Sequence, residues 1–283
     1  WKPNLLTIVV GNLTVGGTGK TPIIIYLAKL LKEQGLKPGI ISRGYLSKSK
    51  SYPLLLKTDT PIEDSGDEPA IMFKNSQCPV VIGPNRIQAA KHLMENTDSN
   101  VILSDDGLQH FSLGRDIEIL MIDGNRKFGN QLLLPAGPLR EPKSRVKTVD
   151  FIISSNRKWS SIANYEMKYR PFKWVHMKSQ KEYDIFDWPL KKEVNAVAGI
   201  GNPSNFFNLL KQLGFEISEY AFPDHYDFHK VDFEIMDNQP TVMTEKDAIK
   251  CSFLDHTNYW YLKIEADVSD NFKEDFLEEI KSK

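Results

Sequence analysis

The sequence predicts an α/β protein: a mostly parallel sheet covered by helices, with a second, smaller α/β domain. Three observations carry this. The apolar stretch 5–10 runs straight into a glycine-rich turn, short apolar segments alternate with helical patterns through the first half, and the rhythm changes in a polar stretch near residues 156–165.

The first element is the strand at 5–10, followed by Gly11-Asn-Leu-Thr-Val-Gly-Gly-Thr-Gly-Lys20-Thr21. Gly16, Gly17 and Gly19 let the chain curl so that successive backbone N–H groups point inward at phosphate oxygens. Lys20 reaches the terminal phosphates and Thr21 offers a hydroxyl to a divalent metal. Thr14 stands where the common pattern has its first glycine, and Thr18 completes the cradle. The helix after it turns its positive end to the same anion, so the expected fold is P-loop NTPase-like.

Further strands are expected at 39–42, 80–82, 101–104, 117–122 and 151–154, with helices at 22–34 and 85–95 between them. Beyond the polar stretch, 169–177, 194–198 and 241–243 read as strands of the smaller unit. Ala198-Gly-Ile-Gly-Asn-Pro203 resembles a second strand-to-helix turn, but without Lys-Thr it reads as scaffold or substrate wall. The tail 271–283 carries Phe272, Phe276 and Ile280 at intervals of four, a stripe suited to packing back on a domain. The expected division is a P-loop nucleotide-binding domain at 1–157, a smaller α/β substrate or closure domain at 158–265, and a terminal helix at 266–283 returning to the first.

At 283 residues and a formal charge of −1, the chain has no global basic field to hold nucleic acid. No apolar run approaches the ~20 residues that span a bilayer. Cys78 and Cys251 have no close-spaced metal pattern and are expected as two buried, reduced thiols.

Five polar constellations bear on chemistry. Asp105 and Asp106 follow an apolar strand, where hard oxygen ligands for Mg²⁺ converge on a phosphate loop. Neighbouring side chains on extended chain point oppositely, so both reach an ion only if the turn rotates one inward. Gln109 and His110 continue that turn and do not specify zinc. Gly66-Asp67-Glu68-Pro69 opens a helix, so its acids are caps or catalytic groups. Phe222-Pro-Asp224-His225-Tyr226 is distant in sequence; if folding sets His225 against Asp67, the pair can take a proton from an alcohol. Pro135-Ala-Gly-Pro-Leu-Arg140-Glu141-Pro142 leads into Lys143, Arg145 and Lys147, a basic run that either holds an anion or is simply solvated.

Taken with Ser42-Arg43-Gly44-Tyr45, Gly83-Pro-Asn-Arg86 and Thr244-Glu-Lys-Asp247, these segments resemble, in order along nearly the whole chain, the tetraacyldisaccharide 4'-kinase family of Gram-negative bacteria. The resemblance implies transfer of the γ-phosphate of ATP, with Mg²⁺, to the 4'-hydroxyl of a tetraacylated disaccharide 1-phosphate lipid. It implies a peripheral enzyme at the cytoplasmic face of the inner membrane, with no obligate protein partner. It also implies a stretch before Trp1 that contributes membrane attachment and part of the lipid-facing surface. By the same resemblance Lys20 is the phosphate-binding lysine, Asp67 the catalytic base and His225 its partner. Thr21, Asp105 and Asp106 stand on the metal side, Arg86 and Arg140 near phosphates or substrate, and Gln109, His110 and Glu141 in the same pocket. Which of Asp67 and His225 receives the proton stays open. The rival class is a nucleotide-dependent switch acting on a membrane-associated partner, which would change partner affinity without phosphorylating an acceptor.

Overall fold

The computed structural model describes residues 1–236, 239–254 and 257–283, and divides into two units: Trp1–Tyr169 with Ala266–Lys283, and Arg170–Glu265. In the first unit the chain forms β1 (Leu6–Gly11), α1 (Lys20–Glu33), β2 (Pro38–Ser42), β3 (Leu54–Leu55), α2 (Ile62–Ser65), α3 (Asp67–Ser76), β4 (Val80–Ile82), α4 (Arg86–Asn96), β5 (Val101–Asp105) and β6 (Ile117–Asp123). A 3-10 turn at Lys143–Thr148 precedes β7 (Phe151–Ser155) and β8 (Tyr165–His176), whose first residues pair with β7.

The strand order here is β8-β7-β6-β1-β5-β2-β4-β3, parallel throughout except that β3 runs against β4. Strands β1, β2 and β5 to β7 are buried along nearly their whole length, which is why they read as continuous Ile, Val and Leu rather than alternating. Order reverses about β1: β5 lies on one side and β6 on the other. Ligand crevices open at the carboxyl ends of strands at such a reversal. Those ends carry Gly11 on β1, Asp105 on β5 and Asp123 on β6.

Helix α1 buries Ile23, Ile24, Leu27 and Leu31 against this sheet, a stripe at helical spacing. It stops at Gln34-Gly35, where Gly35 has φ of 75° and lets the chain turn away. Helix α4 is capped by Asn85, whose side chain accepts from the amides of Ile87 and Gln88.

The second unit contains the rest of β8, then β9 (Glu182–Asp184), β10 (Glu193–Ala198), α5 (Pro203–Gln212), β11 (Glu216–Ala221), α6 (Val231–Glu234), β12 (Thr241–Thr244), α7 (Glu245–Ala248) and most of β13 (Tyr259–Val268). Its strands run β11-β10-β12-β13, all parallel, and β9 folds back antiparallel on β8. The core is aromatic: Trp174, Trp188, Trp260 and Phe215 meet edge to face or tilted at centroid separations of 4.9–5.3 Å.

Helix α8 (Asp270–Lys281) belongs to the first unit and places Phe272 and Phe276, both fully buried, against Phe151 and Tyr165. Burying two such rings contributes roughly 2–3 kcal/mol each.

Candidate active site

The glycine-rich turn is shaped by close approaches. Gly16 and Gly19 have φ of 91° and 89°, in the left-handed region that a side chain disfavours. A Cβ at Gly19 would stand 2.7 Å from the Tyr169 hydroxyl, and one at Gly16 would stand 2.7 Å from the Arg126 guanidinium. Arg126 also donates to the Gly17 carbonyl, and the Asn12 amide donates to the Gly16 carbonyl at 3.1 Å, so side chains hold the turn from both flanks. Thr14 is tolerated at the first-glycine position because it forms a buried β-bridge with Leu139. Thr18 keeps its hydroxyl oxygen buried without a hydrogen-bond partner.

Asp105 and Asp106 end in different surroundings. Asp106 sits at φ 47°, so the turn rotates its carboxylate to a point 3.4 Å from the Lys20 ammonium, with one Arg140 nitrogen at 3.0 and 2.9 Å from its two oxygens. Burial opposes its ionisation, but Lys20 and Arg140 prevail and hold its pKa below the usual carboxylate value. Arg140 also reaches Gln109 Oε1 at 3.4 Å, and Gln109 donates to Glu141 at 2.6 Å and to the Asn12 carbonyl at 3.1 Å. Lys20, Asp106, Arg140, Gln109 and Glu141 therefore form one connected polar chain under the turn.

Asp105 makes no hydrogen bond to that chain. It is buried and accepts from the Ser42 hydroxyl at 2.9 Å through one oxygen; its other oxygen has no hydrogen-bond partner. Burial, then the nearby Glu68, push its pKa up to about 6, with Lys20 working in the opposite direction. Arg86, buried at 2 % exposure, donates to the carbonyls of Gly83 at 2.8 Å and Asp105 at 3.0 Å. Desolvation brings its pKa down to about 10, leaving it a cation at neutral pH. Arg86 thus braces the β4 and β5 ends from beneath. His110 is pushed toward its neutral form by burial and by Arg86 and Arg43.

Asp67 is the first residue of α3, directly after Gly66. Gly66 has φ of 80° and its missing Cβ would stand 2.7 Å from the Tyr45 carbonyl, so the entry to α3 is packed against the Arg43–Tyr45 turn. Arg43, Tyr45, Leu46, Tyr52 and Pro84 line an open cleft beside it.

In the second unit His225 has φ of 59° and its Nε2 lies 3.1 Å from the Lys246 ammonium, which also approaches Asp224 at 3.3 Å. An ammonium only donates, so Nε2 is the acceptor in this contact. The Gly199 turn before α5 is closed by Asp247, which is fully buried and accepts from the Gly199 amide at 2.9 Å and the Thr244 hydroxyl at 2.6 Å.

Sequence reasoning missed Asn12, Ser42, Arg126 and Lys246. Asn12, Ser42 and Lys246 lie inside motifs that the sequence singles out, whereas only the fold brings Arg126 to the turn. Among the described residues no group of three or more His, Cys, Asp or Glu side chains is arranged to hold a metal. Mg²⁺ takes one or two carboxylates and completes its shell with phosphate oxygens and water. The orphan oxygen of Asp105 is a hard donor of the required kind.

Comparison with known proteins converges on one family. The family described as LpxK, tetraacyldisaccharide-1-P 4'-kinase, matches residues 1–281. A tetraacyldisaccharide 4'-kinase of Legionella pneumophila (strain Corby) is 46 % identical over 271 residues, covering 95 % of this chain and 82 % of that protein. One from Hahella chejuensis is 43 % identical over 267 residues, covering 94 % and 79 %. The crystal structure of the "apo" form of LpxK from Aquifex aeolicus in complex with ATP superposes with a TM-score of 0.83 at 30 % identity, covering 99 % of this chain and 90 % of that one.

Proposed function

The chain belongs to the tetraacyldisaccharide-1-P 4'-kinase family, a kinase family of lipid A biosynthesis, and from that premise we propose that it transfers the γ-phosphate of ATP directly to the 4'-hydroxyl of tetraacyldisaccharide 1-phosphate. The observation that carries this reading is the glycine turn with Lys20 and Arg140 both oriented by Asp106 beneath it. Two cations held in place by one carboxylate meet developing phosphate charge without having to reorganise, which is where phosphoryl transfer gains most.

Each residue then has a task. The turn amides and Lys20 bind the phosphates of ATP, and Arg140 positions the transferring group. Thr21 with one of Asp105 and Asp106, directly or through water, would hold Mg²⁺, which when bound neutralises charge on the phosphate oxygens. Arg86 keeps the Asp105 turn in place through its carbonyl. Gln109 and Glu141 fix Arg140, and His110 lines the same side. Asp67 with His225 removes the proton from the acceptor hydroxyl, Asp67 receiving it and His225 tuning it; the reverse order satisfies the same chemistry.

The acceptor being a lipid, we place the enzyme peripherally at the cytoplasmic face of the inner membrane, where ATP is available. Among the described residues no helix is long and apolar enough to cross a membrane.

Mass analysis of tetraacyldisaccharide 1-phosphate after incubation with ATP and Mg²⁺ tests the reading. One added phosphate on the 4'-hydroxyl, without an obligatory phosphoenzyme, is the expected result. ATP consumption with an unmodified acceptor would overturn it.

A further inference from the structure

We propose that the loop carrying Leu132, Leu133 and Leu134 is an insertion tip that docks the first unit onto the apolar layer of an anionic bilayer; this rests on the reading of the acceptor as a membrane lipid. The three leucines are 52 %, 45 % and 52 % exposed, and the stretch 131–136 (QLLLPA) is exposed throughout. Elsewhere exposed apolar residues of this unit stand singly or in pairs. A continuous apolar tip is the kind of surface that marks an interaction site.

The tip is built, not loose. The Leu134 amide donates to the Leu139 carbonyl at 2.9 Å, Leu139 donates to the Leu132 carbonyl at 3.1 Å, and Gly137 donates to the Leu133 carbonyl at 3.0 Å. The Asn130 side chain ties both limbs, donating to the Ala136 carbonyl and accepting from the Leu132 amide. A Cβ at Gly137 would fall 2.1 Å from Asn130 Oδ1, so only glycine permits this closure. Below the tip, Phe128 and Leu139 are buried in the core. The amides of Leu132, Leu134 and Gly137 and the carbonyls of Leu132, Leu133 and Ala136 are bonded within the loop while the three leucines stay exposed, which lowers the cost of entering an apolar phase.

Charge selects the occupant. Residues 126–147 contain Arg126, Lys127, Arg140, Lys143, Arg145 and Lys147 against Glu141 as their one acid. Lys127, Lys143 and Lys147 are exposed, and Lys143 reaches the loop itself through Gln131 at 3.1 Å. Leucines outermost with lysines behind match hydrocarbon beneath anionic headgroups. The loop leads directly into the site: the Val15 amide donates to the Pro138 carbonyl at 3.0 Å, and Arg140 to the Leu13 carbonyl at 2.7 Å. A bilayer held at the tip is therefore held at a fixed place beside the phosphate turn.

Because both native thiols are buried, a Leu133→Cys variant of the full-length protein takes an environment-sensitive fluorophore at one place. Its emission should shift to the blue on phosphatidylglycerol-containing vesicles, far less on phosphatidylcholine alone, and be quenched by acyl-brominated lipid. The Leu132→Ser/Leu133→Ser/Leu134→Ser variant should partition onto the anionic vesicles about tenfold or more weakly. It should phosphorylate detergent-dispersed tetraacyldisaccharide 1-phosphate within about twofold of the parent. An unshifted, unquenched fluorophore overturns the proposal, as does unchanged partitioning. An equal loss on the dispersed acceptor assigns the leucines to its acyl chains or to the fold, and a changed oligomeric state assigns them to a second copy; either also overturns it. If the parent phosphorylates no disaccharide in either form while the fluorophore still inserts, the kinase reading fails and the insertion tip stands.

Discussion

The two units share one device and use it oppositely. Each sends a parallel strand through a glycine turn into a helix, β1 to α1 in the first and β10 to α5 in the second. In the second the turn is already closed by an anion of its own, the buried Asp247 carboxylate on the Gly199 amide. In the first, among the described residues, no carboxylate accepts from the amides of residues 16–20, and Asp106 binds the side chains of Lys20 and Arg140 instead. On the proposed reading, the same supersecondary unit serves as an anion receptor in the first unit and as a scaffold in the second, where an internal carboxylate holds the Gly199 amide.

The contrast predicts a ranking of effects. Lys20→Ala should lower kcat/KM for phosphorylation by about a thousandfold, as expected for loss of a group that meets transition-state charge. A loss below about tenfold would remove the first turn from the chemistry. Asp247→Ala should instead act on the fold, costing about 3 kcal/mol by leaving the Gly199 amide and Lys250 without their buried partner. A thermal melt that does not move would show that Asp247 does not hold the second turn.

Lys246→Met keeps the aliphatic stem and removes the contact to His225 and Asp224. The expected result is about tenfold lower kcat with the KM for ATP unchanged. A parallel rise in that KM would place Lys246 with the nucleotide rather than with His225.

The smallest effect uses the cysteines, one in each unit: Cys78 in the first and Cys251 in the second. Burial pushes both thiols up, Cys251 to about 12, so each reacts only when its surroundings open. ATP at about four times its Kd should slow alkylation of Cys78 about fivefold and leave Cys251 nearly unaffected. Equal protection of both would mean that nucleotide stabilises the units together.

How much of this was readable in the sequence follows from what periodicity encodes. Buried strands such as β1, β4, β5 and β6 announce themselves as apolar runs, and the expected boundaries fall within one residue of the observed ones. Strand β11, Glu-Ile-Ser-Glu-Tyr-Ala, did not, because it is an edge strand with four of its six residues exposed. Strand β13 opens Tyr-Trp-Tyr-Leu, an aromatic run with strand propensity.

The candidate site divides the same way. The phosphate turn is legible because its residues are contiguous. The separation of Asp105 from Asp106 depends on a left-handed backbone at Asp106, and the Lys20–Asp106–Arg140 chain joins positions far apart in sequence. Neither leaves a local pattern. Lys246 stood in a motif singled out only by resemblance, and its contact with His225 arises from the packing of α7 against the 222–229 loop.

Backbone hydrogen exchange with and without a non-hydrolysable ATP analogue and Mg²⁺ tests the central contrast most directly. The amides of residues 16–21 should gain strong protection on nucleotide addition, while that of Gly199, already donating to Asp247, and those of 200–202 in the same turn should not change. Protection appearing at 199–202, or none at 16–21, would contradict the account.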